Sequence, residues 1–189
     1  MRRIVHPIEE ESYAILRGLV DLSEYPPLSR AVVERVIHAT ADLGYATDLV
    51  TDEDALDAGR QAIAAGRPIV TDVRMVAAGI ASDNVRCALP EVAQAGATRT
   101  AQGIRDALGE VGPGAVWVIG CAPTALTELI ALDADPALVI GLPVGFVGSV
   151  EAKAALRSSG LPGLSNRGPK GGSAAAVAAV NALVYGGDV

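Results

Sequence analysis

The segment Ala115-Val-Trp-Val-Ile-Gly120 is an uninterrupted apolar run that ends on a glycine, and Pro123 follows it at the start of an Ala-rich stretch. Continuous apolar runs of this kind are typical of strands that are covered on both faces of a sheet. The proline suits the first turn of a helix, where its missing N–H has no intrahelical partner to lose. The segment therefore predicts a buried strand that passes directly into a helix.

The same alternation of short apolar runs and Ala-rich helical stretches continues along the whole chain. The other predicted strands are Pro68–Asp72, Asn84–Ala88, Ala137–Gly141 and a short one near Leu161–Ser165. The predicted helices are Ile8–Asp21, Leu28–Asp42, Asp52–Ala65, Thr98–Gly109, Pro123–Asp133, Ser149–Ser159 and Gly172–Tyr185. This pattern predicts an α/β fold with a mostly parallel, doubly wound sheet. No repeat or low-complexity linker divides the sequence, so residues 1–189 are expected to form a single domain.

Composition excludes several classes of protein. The 189 residues carry a formal net charge of −7, which argues against nucleic-acid or anionic-membrane binding. Two cysteines and two histidines make a disulfide scaffold or a zinc site improbable, so no metal is expected. The sequence contains neither a secretory leader nor an apolar stretch of about 18 residues that could span a membrane. A reduced, soluble, cytoplasmic protein is the expectation.

Three Gly-rich turns follow predicted strands: Gly120–Thr124, Gly141–Gly148 and Arg167–Ser173. The carboxyl ends of parallel strands meet at one edge of a sheet, so the turns should lie together and could bind an anion through backbone N–H groups. The third turn adds Arg167, Lys170 and the Ser173 hydroxyl. None of the turns matches a dinucleotide or triphosphate motif. The alternative is that the glycines only form tight turns.

His38 falls on the polar side of the helix predicted for Leu28–Asp42, with Glu34 and Asp42 one turn away in either direction. Flanking carboxylates favour the protonated imidazole. Such a ring could donate a proton or a hydrogen bond to a ligand. The alternative is a solvated histidine in a charged surface stripe, and helical phase alone favours that alternative.

Three further residues have a functional and a structural interpretation. Arg99 begins a predicted helix, where a cation opposes the helix dipole unless an anion binds there; it could equally pair with a surface carboxylate. Ser12 could contact a ligand, although helix capping is the more common role. Cys121 could be a nucleophile activated by a helix N-terminus, but a small buried residue before a proline is the simpler interpretation.

Taken together, seven stretches resemble precorrin-8X methylmutase, in the order of that family and over nearly the whole chain. They are His6–Arg17 (HPIEEESYAILR), Val36–Asp42 (VIHATAD), Pro68–Ile80, Gly96–Arg99, Ala122–Leu126 (APTAL), Gly141–Gly148 (GLPVGFVG) with Glu151–Lys153, and Arg167–Ser173. The sequence departs from the family pattern at Cys121, where asparagine is expected, and at Gly18, where an acidic residue is frequent.

The resemblance implies a three-layer α/β/α homodimer with its active site near the subunit interface. It implies an isomerase of cobalamin biosynthesis that needs no cofactor and moves a methyl group from ring carbon 11 to ring carbon 12 of precorrin-8X or cobalt-precorrin-8. The product would be hydrogenobyrinate or its cobalt counterpart. The catalytic histidine of the family corresponds to His38 and its ligand-contacting arginine to Arg99. With the Gly-rich turns, the expected substrate contacts are Ser12, Arg99, Thr124, Gly145, Arg167, Lys170 and Ser173.

Two other functions stay open on the sequence. The same site could belong to a non-catalytic corrinoid-binding or carrier protein. The α/β pattern could also belong to an unrelated nucleotide-binding module, because a fold does not determine a function.

Overall fold

The structure, a computed structural model, describes residues 6–132 and 134–187. Its helices are α1 (Pro7–Leu19), α2 (Pro27–Thr40), α3 (Tyr45–Asp48), α4 (Glu53–Ala64), α5 (Arg74–Gly79), α6 (Arg99–Val111), α7 (Pro123–Ala131), α8 (Ser149–Ser158) and α9 (Ser173–Val184). Its strands are β1 (Leu49–Val50), β2 (Ile69–Thr71), β3 (Val85–Arg86), β4 (Val116–Ile119), β5 (Leu138–Gly141) and β6 (Gly163–Asn166).

A sheet with the strand order β1-β6-β5-β4-β2-β3 forms the middle layer. Its strands are parallel to their neighbours except β1, which is antiparallel to β6. The chain runs outward from β2 to β3 and then returns to the other side of β2 for β4, so the direction of winding switches between β2 and β4. Ligands of open α/β sheets bind outside the carboxyl ends of the strands at such a point. The predicted mostly parallel, doubly wound sheet is confirmed.

Hydrophobic cores fill both faces of the sheet. On one face, α6, α7 and α8 pack over Trp117 and Val139. On the other face, α2, α4, α5 and α9 pack over Val116, Val118 and Ile140, and α1 lies on the outside of α2. The residues of β4 are completely buried, as the apolar run predicts. These helices on both faces confirm the three-layer α/β/α arrangement.

Small residues allow the layers to approach closely. A Cβ atom added to Gly59 of α4 would lie 2.8 Å from the Leu138 Cβ of β5, which is closer than side chains pack. Gly120 lies equally close to α9, because an added Cβ would be 2.8 Å from the Ala176 Cβ. A core poor in aromatic residues is therefore built from direct helix–sheet contact.

Three short elements were not predicted: α3, β1 and α5. The predicted helix that starts at Asp52 is α4, and Asp52 is its N-cap, since the Asp52 side chain accepts the Ala55 N–H at 3.0 Å. Pro123 does begin α7, but the predicted end of that helix at Asp133 lies outside the described residues. Among the residues that the structure covers, no helix is long and apolar enough to cross a membrane.

Candidate active site

His38 lies near the end of α2, half-buried beneath α1. Its Nδ1 is 2.8 Å from the Ser12 Oγ of α1. The Tyr13 ring stacks on the imidazole, with ring centroids 4.6 Å apart and an interplanar angle of 18°. Two adjacent residues of α1 therefore fix both the position and the plane of the ring. The interpretation of His38 as a solvated surface residue is wrong, because α1 covers a face that the phase of α2 alone leaves exposed.

Ser12 is an interior residue of α1 and does not cap it. The N-cap is His6, whose Nδ1 accepts the Ile8 N–H at 3.2 Å. The Ser12 hydroxyl is directed at His38 instead, so capping, the more common role, is wrong for this residue. A serine that bonds one ring nitrogen directs the other nitrogen and favours one tautomer of the ring.

Two adjoining cavities open at His38 and Ser12. One has a volume of about 230 Å³ and is lined largely by apolar side chains of α1, α2 and Leu43. The other has a volume of about 460 Å³ and extends along the start of α1 past His6, Ile8 and Glu9. A larger cavity of about 570 Å³ lies around Arg17, but none of the predicted site residues lines it.

The carboxylates beside His38 are engaged by other cations. Arg17 binds Glu34 through two hydrogen bonds of 2.7 and 3.1 Å, which raises the pKa of the arginine. Lys170 lies 2.8 Å from the Asp42 carboxylate, and this hydrogen bond lowers the pKa of Asp42. Both carboxylates that flank His38 along α2 are therefore paired with cations from other elements, and their effect on the protonation of His38 stays a prediction. The second pair brings the loop after β6 to the end of α2, one turn from the histidine.

The loops after β5 and β6 lie against each other, as predicted. The Gly145 N–H donates to the Pro169 carbonyl at 3.0 Å, and the Gly172 N–H donates to the Leu142 carbonyl at 2.9 Å. Ser173 begins α9 and lies against the turn after β4, since a Cβ on Gly120 would be 3.2 Å from the Ser173 Cα. Three of the predicted contacts, Gly145, Lys170 and Ser173, therefore share one rim of the sheet.

Lys153 of α8 binds the loop after β6, and its side chain is fully buried. Its Nζ donates to Asn166 Oδ1 at 2.9 Å, to the Gly168 carbonyl at 2.5 Å and to the Lys170 carbonyl at 2.8 Å. Burial lowers the pKa of Lys153 to about 8, against the opposing effect of the Asp48 charge. The sequence predicted no role for Lys153 itself. Its position on the apolar face of α8 was the available signal.

The Gly-rich turn after β4 differs from the prediction of an anion-binding turn. The buried Asp72 carboxylate, at the end of β2, accepts the backbone N–H groups of Gly120, Cys121 and Ala122 at 2.8–3.1 Å. Burial raises the pKa of Asp72, and the three N–H donors oppose that rise. The N–H groups at the β2–β4 switch point therefore already bind a carboxylate of this chain. The sequence signal was an aspartate directly after a buried strand.

Arg99 begins α6, as predicted, and its Nε donates to the Pro90 carbonyl at 2.7 Å. The residues on either side of it, Thr98 and Thr100, lie 2.9 and 3.3 Å from the Thr124 hydroxyl. Hydroxyl contacts therefore join the start of α6 to the start of α7. Arg99 and Thr124 therefore lie close to each other. Within residues 6–132 and 134–187, neither of them lines the cavities at His38.

Cys121 is exposed, so its interpretation as a small buried residue is wrong. Partial desolvation and the Asp72 charge raise the pKa of its thiol. A raised pKa is the opposite of what a nucleophilic thiolate requires.

Arg167 is exposed on the rim, where its Nη1 donates to the Thr47 carbonyl at 3.0 Å. With Lys170 and Arg99 it places cations at this edge of the sheet, and Lys170 connects the edge to α2, which carries His38 beside an apolar cavity. Such a site suits an anionic molecule with a large apolar body. Fold and site together define a three-layer α/β protein with a candidate ligand site at the carboxyl edge of its sheet.

Comparison with known proteins gives the family. The family model of precorrin-8X methylmutase matches residues 7–186. The cobalt-precorrin-8 methylmutase of Methanocaldococcus jannaschii is 40% identical over 86% of this chain and 82% of its own length. The precorrin-8X methylmutase of Pseudomonas aeruginosa is 42% identical over 93% of each chain. The crystal structure of precorrin-8X methyl mutase from Thermus thermophilus superposes with a TM-score of 0.86, at 38% identity, over 95% of this chain and 96% of that one.

The chain belongs to the precorrin-8X methylmutase family. It is an isomerase of cobalamin biosynthesis, as the resemblance in its motifs implied. The carrier and nucleotide-binding alternatives are thereby set aside.

Proposed function

We propose that this chain moves a methyl group from ring carbon 11 to ring carbon 12 of precorrin-8X or cobalt-precorrin-8, with His38 as the general acid or hydrogen-bond donor. The observation that carries the proposal is the held imidazole: Ser12 at Nδ1 and Tyr13 against the ring face, beside an apolar cavity. Relatives named for either substrate match at 40% and 42% identity, so both substrates are included.

The proposed reaction requires a group that polarises the conjugated ring system of the substrate. The bond between the methyl group and carbon 11 breaks and its bond to carbon 12 forms, so the substrate is neither oxidised nor reduced and no group leaves. A proton or hydrogen bond placed on a ring nitrogen withdraws electrons from the conjugated system, and the proton returns when the shift is complete. Because Ser12 lies at Nδ1, the proton would leave from Nε2. General acid assistance is worth about 10²–10⁴-fold in rate.

Binding would fall to the cations and the rim. The substrate is a macrocycle with several carboxylates, and Arg99, Arg167 and Lys170 supply positive charge at the edge of the sheet. Charge-assisted hydrogen bonds contribute about 1.5–3 kcal/mol each. The hydroxyls of Thr124 and Ser173 lie on the same rim, and Gly145 brings the loop after β5 close to it without a side chain. These are the proposed substrate contacts, with Ser12 acting through His38.

We infer that the site is completed by a second copy of the chain. Around the histidine cavity, α1 and the residues after α2 expose apolar side chains: Ile8 by 71%, Ile15 by 58%, Leu19 by 64% and Leu43 by 40%. Ile8, Ile15 and Leu19 recur on one face of α1 together with Ser12. Contiguous apolar surface of this kind is typical of a protein interface. A homodimer over this face would enclose His38.

The experiment that tests the proposal replaces His38 by alanine. Turnover of precorrin-8X, followed by the change in absorbance on formation of hydrogenobyrinate, should fall at least 100-fold, as expected from loss of a general acid. Hydrogenobyrinate should still bind, with its Kd measured by titration. Arg30→Ala is the control, because Arg30 is exposed on the same helix outside the histidine cavities. Near-normal turnover by the His38 variant would exclude the proposed role.

A further inference from the structure

The Lys153 ammonium is buried and makes three hydrogen bonds, all to the segment Asn166–Lys170. An ammonium has three N–H donors, so each one has an acceptor. Two of the acceptors are the carbonyls of Gly168 and Lys170, which lie on either side of Pro169. Their directions therefore fix the planes of the Gly168–Pro169 and Lys170–Gly171 peptides.

The same segment is held from its other side by Asp48. Its carboxylate accepts the Gly168 N–H at 2.9 Å and the Asn166 side-chain amide at 2.7 Å. The Asn166 amide also donates to the Lys170 carbonyl at 2.9 Å. Backbone groups along the whole segment are thus bound by groups of α3, β6 and α8. The side chains of Arg167 and Lys170 are carried by a backbone that has little freedom.

Stability is a weak explanation for a charge in this position. Taking an ammonium out of water costs several kcal/mol, and an apolar side chain of similar volume is often as stabilising. The other buried residues of α8 are Ser149, Ala152 and Leu156, so two of the three are apolar and an apolar residue would be compatible with that face. The ammonium provides three directional hydrogen bonds, and these order the loop that carries the cations Arg167 and Lys170.

We propose that Lys153 is a positioning residue: its ammonium holds the Asn166–Lys170 loop in the shape that places Lys170 beside Asp42 and Arg167 on the rim. For its effect on substrate the proposal rests on the proposed function, in which these two cations bind carboxylates. The structural half of the proposal is the effect of Lys153 on the loop, and it does not depend on any substrate. The catalytic half is the effect on substrate binding. The two halves are therefore tested separately.

The structural half is tested by amide hydrogen exchange in Lys153→Met, a side chain of similar length without donors. The Gly145 N–H reports on the loop, because it donates to the Pro169 carbonyl at 3.0 Å. Its exchange should accelerate at least tenfold. The matched control is Arg157→Met on the same helix, because Arg157 donates to Ser165 Oγ and the Asn166 carbonyl of β6; Gly145 exchange should change less than threefold there. Equal protection of Gly145 in wild type and Lys153→Met overturns the proposal.

The catalytic half is tested by steady-state kinetics with precorrin-8X. In Lys153→Met, KM should rise about tenfold while kcat stays within threefold, because the reacting end of the site at His38 is untouched. The rise should shrink to under threefold when Lys170→Ala is also present, since interacting residues are non-additive. Additive effects, or a fall in kcat alone, overturn the positioning role.

If Lys153→Met does not fold, Lys153→Gln serves in both experiments. It supplies two N–H donors instead of three on a shorter side chain, so Gly145 exchange and KM should change in the same direction by smaller factors, at least twofold each. Unchanged values in this variant also overturn the proposal. If wild type does not convert precorrin-8X at all, the proposed function fails, while the exchange experiment still decides whether Lys153 holds the loop.

Discussion

The Asp72 carboxylate takes the place that a bound anion would take at the turn after β4. It accepts the N–H groups of Gly120, Cys121 and Ala122, at the point where the winding of the sheet reverses. A Gly-rich turn that looks like a ligand site in the sequence is thereby part of the scaffold. In the proposed function, anion binding would therefore fall to the loops after β5 and β6 and to the start of α6.

Asp72→Asn should lower the free energy of unfolding, although it conserves shape and removes a buried charge. The new amide nitrogen would face backbone N–H donors, which leaves buried groups without acceptors at a cost of about 1–3 kcal/mol each. Urea denaturation measures the loss. Asp21→Asn is the control: Asp21 is exposed, so its replacement should change the free energy of unfolding far less than Asp72→Asn does. An Asp72 variant as stable as wild type would contradict this role of the carboxylate.

The residues of the histidine site were only partly predictable. Helical phase correctly separated His38 from the core of α2, but the phase of one helix carries no information about a second helix that packs over it. The contacts with Ser12 and Tyr13 are such tertiary contacts. The family motif indicated His38 as catalytic, and its substrate contacts remain predictions. Lys153 was missed because a lysine in a helix is ordinarily a surface residue.

At the scale of the elements, the strands with long apolar runs were predicted and the shortest elements were not. Four or more consecutive apolar residues predict β4 and β5, and Pro123 predicts the start of α7. In contrast, β1 has two residues and α3 has four, which is too short for any periodicity to show. The antiparallel pairing of β1 with β6 is set by neighbours that are distant in the sequence.

Gly59→Ala tests the close packing of α4 on β5. The added Cβ would lie 2.8 Å from the Leu138 Cβ, so the helix must shift, at a cost of about 1–3 kcal/mol for overpacking. Gly109→Ala is the matched control in α6, where an added Cβ meets nothing within 4 Å. It should stabilise the protein by about 0.5–1 kcal/mol through helix propensity. Thermal or urea denaturation of both variants gives the comparison, and equal effects would contradict the packing argument.

At the scale of the whole molecule, the proposed site residues come from the helices on both faces of the sheet. Helices α6 and α7 on one face carry Arg99 and Thr124, while α1 and α2 on the other face carry Ser12 and His38. The loops after β5 and β6 lie at the sheet edge, and Lys170 connects that edge to α2 through Asp42. A substrate wide enough to contact all of these groups is consistent with a macrocycle.

Ile15→Glu combined with Leu19→Glu should dissociate the proposed homodimer. Both side chains are more than half exposed on α1, and two carboxylates buried at an interface would oppose association. Sedimentation equilibrium should show the dimer Kd raised at least 100-fold. Val92→Glu changes a still more exposed apolar residue, in the segment before α6, and should leave the Kd unchanged. A wild-type chain that is monomeric at micromolar concentration would contradict the homodimer itself.

Both edge strands of the sheet are very short. Within the part of the chain that the structure describes, the outermost strands β1 and β3 contain two residues each, so each edge presents only a short row of main-chain groups to a strand of another molecule. Long flat borders are the usual template for aggregation by strand addition, and very short ones resist it. Copies of this chain should therefore recognise one another through helices, and concentrated or crowded solutions should not convert the folded protein into fibres.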